Sequence, residues 1–441
     1  MNDALLDGAR ALSVGQPEDS IFALASGAGR GAISVLRLSG RDTGRVLATL
    51  CGAVPPARRA VVRRLRDAAG DVLDQALVLW MPGPDSFTGE DVAELHVHGG
   101  RAVLAAVSGA LVGLGLRPAD PGEFSKRAFF AGRMDLLEAE AIADLVTAET
   151  EGQRRQALRQ YFGVQSEMLA GWAALLKRCV AFQEALIDFP DEDLPPDVEA
   201  RFLADLGGLL REMEAQVGLA PRGERLRRGL VFAIVGAPNV GKSSLLNALA
   251  RREIAIVSPI PGTTRDALEV SIELAGVPVT LIDTAGLRET RDALESEGIR
   301  RARARAASAD LILCVVDAAR PTPAFEGGLV IANKIDLSPA PAGVVGVSVL
   351  SGEGFEALEA RLAEEAARLT FSGSDPVLTR ERHAAAVRDA TVALRRALGC
   401  EMPELRAEEL RVALQGLGRI TGAVDAEAIL DDVFSAFCIG K

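Results

Sequence analysis

The run GAPNVGKS over 236–243 has the spacing GxxxxGKS and directly follows an apolar, strand-like run, Leu230 to Val235. Glycines at these positions let backbone amides close around phosphate oxygens. Lys242 can then reach the β and γ phosphates, the Ser243 hydroxyl can ligate Mg²⁺, and Asn239, Val240, Gly241 and Ser244 complete the cradle. A second motif, Asp283, Thr284, Ala285 and Gly286, ends the apolar run Val279 to Ile282. Its carboxylate can hold the metal through water while the Gly286 amide senses the γ-phosphate. A third, Asn333, Lys334 and Asp336 in NKID, follows Leu329 to Ala332. A carboxylate accepts from both N1–H and the N2 amino group of guanine, a donor pair adenine lacks, so Asp336 selects GTP over ATP. All three motifs in this order imply a guanine-nucleotide-hydrolysing domain.

Between the first two motifs lies SPIPGTTRD over 258–266. A threonine here completes Mg²⁺ coordination and orders a switch loop when the γ-phosphate is present, and Thr264 is assigned that role. The residue after the DTAG glycine is Leu287, where a Ras-like site has a water-orienting glutamine, and leucine cannot hydrogen-bond. No arginine stands in the phosphate loop to stabilise charge. Asn239 instead offers a carbonyl oxygen suited to a monovalent cation, placing positive charge where leaving-group charge develops.

These motifs must be held by strands alternating with helices from Leu230 to about Leu369, the pattern of a parallel sheet with crossovers. Residues up to about 130 carry strand-like runs (Ala32 to Leu38, Ala76 to Trp80, Val92 to Val97) between Gly and Pro punctuation, as in an α+β unit. From Met134 the pattern is helical, with Met134, Leu137, Ala141 and Leu145 on one face, to about Gln216 apart from a break at Asp188 to Pro196. The chain is helical again after Phe371. The simplest organisation inserts an α/β domain into a discontinuous helical one. The expected divisions are 1–130, 131–225, 226–370 and 371–441.

The chain has 441 residues, 49% apolar and 25% charged, enough for large cores. A net charge of −12 argues against a general nucleic-acid binder, although residues 1–132 balance 14 basic against 14 acidic side chains. The Ala/Arg run from Arg300 to Arg305 reads as a solvated helix face. Five scattered cysteines without CxxC spacing exclude zinc ribbons and a disulfide framework, and fit a reducing cytosol. His96 and His98 can face the same way on a strand, but no third ligand lies nearby, so no metal site is expected there. No basic segment precedes an apolar core at the N-terminus, so no secretory signal is expected. The longest apolar stretch, Ala102 to Leu116, is about 22 Å long as a helix, too short for a membrane, and reads as a buried helix.

The sequence resembles, over nearly its whole length, the MnmE (TrmE) family of bacterial and organellar tRNA-modification GTPases. The specific pieces are GRGAISVLRLSG over 29–40, FTGEDVAELHVHGG over 87–100, PGEFSKRAF over 121–129, RMDLLEAEAIADL over 133–145 and the terminal CIGK over 438–441. The resemblance implies a multidomain α/β chain: an α+β N-terminal domain that dimerises and holds a tetrahydrofolate one-carbon unit (5-formyl- or 5,10-methylene-), a helical domain, and an inserted Ras-like G domain. By motif position Arg37, Glu94, Arg133 and Lys441 are its folate-contacting residues, Arg133 standing where relatives carry Lys. It implies K⁺ activation through Asn239, Ser258, Ile260 and Thr263, nucleotide contacts from 258–264 including Pro259, Pro261 and Gly262, and a water-orienting acid at Glu295. Arg288 is expected to help link the switch to the other domains. Cys438 matches a functionally required cysteine, and CIGK is not a prenylation box.

The implied activity is that of a cytoplasmic homodimer that works with MnmG (GidA), a partner using FAD and NADH, in a heterotetramer without membrane attachment. Together they install an aminomethyl or carboxymethylaminomethyl group at C5 of the wobble uridine of certain tRNAs. With no basic and aromatic stacking surface evident, the partner is expected to carry much of the tRNA grip. Three departures from the family stand out. The Asp317-to-Leu329 connection has eleven intervening residues with Pro321 and Pro323, short for a helical crossover. The base-contacting loop reads Ser348-Val349 in place of Ser-Ala, and Gly31-Ala32 replaces Gly-Gly. Two rival readings are a ribosome-assembly or translation GTPase switch and a folate-dependent one-carbon transferase with a regulatory G domain.

Overall fold

A computed structural model describes residues 19–27, 29, 31–188, 196–252, 254–256, 269–283, 309–321, 328–370, 373, 375–424, 430, 433–435, 437 and 440. They fall into two compact units: residues 1–143, 160–203 and 392–441, and residues 144–159 and 204–391.

The first unit is built on a six-stranded sheet. Its strands are β1 (Ile21–Leu24), β2 (Ile33–Ser39), β3 (Val61–Arg66), β4 (Val72–Met81), β5 (Val92–His98) and β6 (Arg117–Pro118), in the order β3-β4-β5-β2-β1-β6. All neighbours are antiparallel except β1 and β6. Alternation decides the two faces. Leu36 and Leu38, Ala76 and Val78, and Ala93, Leu95 and Val97 point into a core shared with Val46, Leu47 and Leu50 of α1 (Thr43–Cys51) and Val107 and Leu111 of α2 (Arg101–Gly113). The opposite face carries Val35, Arg37, Leu77, Glu94, His96 and His98, none of them closed from solvent.

The apolar stretch over 102–116 does form a helix, but not a buried one. Only Val107 and Leu111 of α2 are shut off, while Val112 is 53% exposed. Its large side chains Val103, Leu104, Val107, Leu111 and Leu114 gather on one stripe against the sheet, while Ala, Gly and Ser occupy most of the rest of the helix.

A charged cluster ties α3 (Glu123–Phe130) to the sheet. Arg127 is 4% exposed and reaches Glu90 at 3.1 Å, Glu123 at 2.8 Å and Asp19 at 3.0 Å, while Arg117 takes the other oxygens of Glu123 and Asp19. Ser39 donates to Glu90 at 2.7 Å and shares a hydrogen bond with Thr88, so the 86–90 loop is fixed as well. Removing one partner of such a network strands the others. Arg127→Ala is expected to cost about 3–5 kcal/mol. Urea unfolding followed by tryptophan fluorescence checks this, since Trp80 and Trp172 both lie in the first unit.

Burial acts to raise the Asp19 and Glu123 carboxyls, but hydrogen bonds from Arg117 and Arg127 outweigh it and hold both below the ordinary range. The folded-state values are therefore depressed. Their stabilising contribution is present above the unfolded pKa of about 4 and is lost as the pH falls through the lower folded value.

Helix α4 (Leu136–Thr147) begins at a reciprocal cap: the Glu138 amide donates to Asp135 Oδ1 and the Asp135 amide to Glu138 Oε2, both at 2.8 Å. Helices α5 (Glu151–Tyr161), α6 (Val164–Asp188) and α7 (Pro196–Arg228) follow. The buried residues of α6, Gln165, Leu169, Trp172, Leu176, Cys179 and Gln183, repeat at alternating steps of four and three. The same steps recur in Arg406, Leu410, Ala413, Leu417 and Ile420 of the last helix, Pro403–Thr421, against which α6 packs.

In the second unit, β7 (Leu230–Val235), β8 (Glu269–Leu274), β9 (Val277–Asp283), β10 (Leu311–Asp317), β11 (Leu329–Asn333) and β12 (Val345–Val347) form a sheet in the order β12-β11-β10-β7-β9-β8. Every neighbouring pair is parallel except β8 with β9. Helices α8 (Lys242–Ala250) and α9 (Phe355–Leu369) bury Leu245, Leu246, Leu249, Leu358 and Leu362 against it. Two further helices among the described residues are α10 (Glu381–Gly399) and α11 (Pro403–Thr421).

Helix α7 runs past Gln216 and through Pro221 to Arg228, further than the sequence pattern predicts. Tertiary contacts carry it across the proline: Leu226 is buried, Gln156 donates to Gly223 O, and Arg225 and Arg228 both hold Asp310. Of the short connection after β10, residues 318–321 form a turn closed by the Asp317–Arg320 bridge, and 322–327 lie outside the described residues. So does the run 300–305.

Candidate functional site

The phosphate loop joins β7 to α8, so its carbonyls and amides sit at the carboxyl end of a central strand. Lys242 is buried, and its ammonium donates to Gly236 O at 2.9 Å and Ala237 O at 2.8 Å across the loop. Gly241 has φ +97°, and a Cβ there would stand 2.3 Å from Asn333 Nδ2. Gly236 lies equally tight against β10, where a Cβ would meet Val315 O at 2.3 Å. Asn239 is exposed at the crest with φ +63°, a backbone region that asparagine tolerates.

The Ser243 hydroxyl donates to Asp283 Oδ2, and Asp283 is 1% exposed. Two hard oxygen donors converge here, the chemistry a magnesium ion requires. Pairing of β7 with β9 brings them together: Ile234 stands opposite Asp283 in the register.

The third motif is locked to the first. Asn333 is 2% exposed and donates to Val240 O at 2.8 Å, while its Oδ1 accepts from the Lys334 amide at 2.8 Å and the Val349 amide at 3.4 Å. Lys334 has φ +68°, and its ammonium reaches Asp317 at 2.8 Å, which holds that carboxyl below its ordinary value. Ser348 is wholly buried and donates to Asp336 Oδ1 at 2.6 Å, fixing the base-reading carboxylate. The structure thus gathers Asn239, Val240, Gly241, Lys242, Ser243, Ser244, Asp283, Asn333, Lys334, Asp336, Ser348 and Val349 along one edge of the sheet. Asp317, which sequence reasoning missed, joins them from the end of β10. The signal available in the sequence was an acid ending the apolar run Leu311 to Val316, as Asp283 ends Val279 to Ile282. Ser258, Pro259, Ile260, Pro261, Gly262, Thr263, Thr264, Thr284, Ala285, Gly286, Leu287, Arg288 and Glu295 lie outside the described residues.

A second constellation stands on the open face of the first unit's sheet. Arg37 and Glu94 are direct cross-strand partners on β2 and β5. Arg37 donates through Nε at 3.2 Å and Nη2 at 3.0 Å to Glu94 Oε1, and its guanidinium lies over the rings of Phe87 at 5.5 Å and Phe124 at 5.9 Å. Arg133 flanks the same 85–90 loop, with Nη2 3.9 Å from Asp85 and its Cγ 3.6 Å from where a Gly89 Cβ would be. Phe87, Phe124 and His96 were not singled out for this site from the sequence, although all three lie inside the segments that carry the family resemblance.

His96 and His98 do share a face, and each is paired with an acid: His96 with Glu94 at 3.3 Å and His98 with Asp74 at 2.7 Å. Among the described residues no group of three or more His, Cys, Asp or Glu could hold a metal ion. Cys438 and Lys441 lie outside the described residues, but Gly440 is buried against β1, where a Cβ would meet Leu24 O at 2.3 Å.

The MnmE helical-domain family model matches residues 136–438, and that of the GTP-binding protein TrmE N-terminus matches residues 20–133. The tRNA modification GTPase MnmE of Gluconacetobacter diazotrophicus is 58% identical over 96% of this chain and 98% of its own. The chain belongs to the MnmE family. The Granulibacter bethesdensis MnmE is 53% identical over 96% of this chain and 100% of its own. A solved structure, the G domain of the T. maritima FeoB iron transporter, covers 31% of this chain and 98% of that one at 27% identity, with a TM-score of only 0.21. As an MnmE-family chain, the protein is a GTP hydrolase of tRNA modification that uses nucleotide and Mg²⁺. Among the described residues no helix is long and apolar enough to cross a membrane.

Proposed function

We propose that this GTPase is activated by K⁺ and that its first unit holds a tetrahydrofolate one-carbon unit. With a partner of the MnmG type that uses FAD and NADH, it would install an aminomethyl or carboxymethylaminomethyl group at C5 of the wobble uridine of certain tRNAs. The chain works in the cytoplasm as a homodimer, joined to the partner as a heterotetramer. Its functional divisions are 1–130 for folate binding and dimerisation, 131–225 and 371–441 for the helical domain, and 226–370 for the G domain.

Within the G domain, Ser243 and Thr264 would hold Mg²⁺, and Asn239, exposed on the phosphate loop, would hold K⁺ through its side-chain carbonyl together with Ser258, Ile260 and Thr263. Bound there, the cations would supply positive charge where negative charge develops on the phosphate oxygens. Lys242 spans the loop and binds phosphate. Glu295 orients the attacking water in place of the glutamine that Leu287 cannot replace.

The observation that carries the folate reading is the Arg37–Glu94 pair on an otherwise open sheet face, backed by Phe87. A carboxylate suits the donor edge of a 2-amino-4-oxopyrimidine ring, an aromatic ring suits its flat face, Arg37 holds that carboxylate at the same end, and Arg133 suits the carrier's glutamate carboxylates. The burial of Gly440 against β1 supports Lys441, the next residue, as a further contact.

Expected results are several-fold faster GTP turnover in KCl than in NaCl, with the K⁺-stimulated part lost in Glu295→Ala. Equal rates in the two salts, or an active Glu295→Ala, would remove the K⁺ mechanism. A modified-nucleoside profile unchanged by deletion of the protein would instead favour a GTPase switch with another role.

A further inference from the structure

The even balance of charge over 1–132 conceals a local excess. From Thr43 to Arg66 the chain holds six arginines and no lysine, aspartate or glutamate. Arg45 is paired with Asp42 at 3.1 Å. The other five, Arg58, Arg59, Arg63, Arg64 and Arg66, lie on β3 and the segment leading into it, and β3 is the edge strand of its sheet. All are exposed except Arg63, which is half-buried. Leu65 is locked in the core, while Arg64 and Arg66, opposite Gln75 and Val72 in the register, stand on the open face with Val62.

Among the described residues none of the five has a carboxylate partner. Arg58 donates to Asp85 O at 2.5 Å, Arg63 to Val62 O at 3.1 Å and Arg66 to Gly70 O at 2.6 Å. A carbonyl takes one of the five donors of a guanidinium and leaves the charge uncancelled. Three neighbouring acids are committed elsewhere: Asp67 accepts from the Ala69 and Asp71 amides, Asp74 is paired with His98, and Asp85 lies 3.9 Å from Arg133. Asp71, exposed on the turn after Arg66, is the acid that remains at that end.

We propose that this edge is a track for the sugar–phosphate backbone of tRNA, resting on the tRNA-modifying role given above and not on the folate reading. At about 3.3 Å per residue the strand sets its charges out in a line, the form of a polyphosphate and not of a single anion. Guanidinium forks match phosphate oxygens two at a time. A second copy of the chain does not fit this edge, because pairing β3 with β3 would set arginine against arginine. Protection of a bare sheet edge asks only for charge, which lysine or glutamate supplies as well, whereas this run uses arginine alone.

The test is fluorescence anisotropy of a labelled tRNA transcript titrated with the full chain, from about 50 to about 200 mM KCl. Any tRNA serves, because phosphate contacts carry no sequence information. Arg64→Ala/Arg66→Ala should weaken binding about tenfold at low salt and reduce the slope of log K against log[salt] by about 1.5–2. Arg64→Lys/Arg66→Lys should keep the slope but lose several-fold in affinity, since the charge stays and the fork is gone. GTP turnover and the urea midpoint should match wild type in both. Arg64→Glu/Arg66→Glu keeps the edge charged, so it should sediment as wild type does and lose tRNA binding. Unchanged affinity and slope in the alanine variant would overturn the track, as would a wild-type chain that does not bind tRNA at low salt. Retained tRNA affinity with altered sedimentation in the glutamate variant would also overturn it and mark the edge as an interface between copies.

Discussion

Replacing Lys242 by alanine is expected to lower GTP turnover by about 10²–10³-fold, the usual loss when a fixed donor to developing charge is removed. The ammonium is buried and carries two hydrogen bonds across the loop, to Gly236 O and Ala237 O. Alanine deletes the positive charge that meets the phosphates and also leaves those carbonyls without their strut. Arginine would not restore it, because a planar fork cannot take the place of a compact ammonium between two carbonyls. Single-turnover hydrolysis separates the chemical step from nucleotide affinity, and an unchanged unfolding midpoint shows that the unit is intact. A rate within fivefold of wild type would mean that Lys242 is a structural strut only.

The second large effect is on base choice. Asp336→Asn is expected to weaken GTP binding by about 10²–10⁴-fold, because a site built for a donor edge then meets it with an amide N–H. Ser348 holds Asp336 Oδ1 at 2.6 Å, so the substituted side chain cannot swing away to relieve the clash. Xanthine carries an oxygen where guanine carries its amino group. XTP should therefore bind the variant better than GTP does, a reversal that mere unfolding cannot produce. Fluorescence titration with the two nucleotides gives the ratio directly, and a parallel loss for both would sink the assignment. Ser348→Ala removes only the anchor and should cost far less.

Much of the nucleotide site was legible because each motif is a continuous stretch of chain whose chemistry is local. Glycines at 236 and 241, a lysine and a hydroxyl in succession, and an apolar run before them describe a strand, a loop and a helix start without help from the rest of the molecule. Composition and period likewise announced a parallel sheet after Leu230 and an α+β unit before 130. The end of α7 was misread because Pro221 ends most helices, whereas buried Leu226 and two arginines on Asp310 hold this one together. The 102–116 stretch was misread because average apolarity does not show that its Val and Leu side chains gather on one stripe of the helix.

The residues themselves, then, determined which chemistries the chain can perform: phosphate cradling, guanine reading and hydroxyl-ligated metal binding. Which groups act together was decided by register and strand order. Asn333 grips Val240 from 93 residues away because β10 lies between β11 and β7. Arg37 and Glu94 are 57 residues apart in sequence and meet because β2 and β5 pair antiparallel at that step, and a slip of one residue between the strands would put them on opposite faces. His96 joins them only because alternation along β5 repeats the face every second residue. Side-chain type is a property of the sequence, but shared acceptors and buried charge exist only once distant strands are side by side.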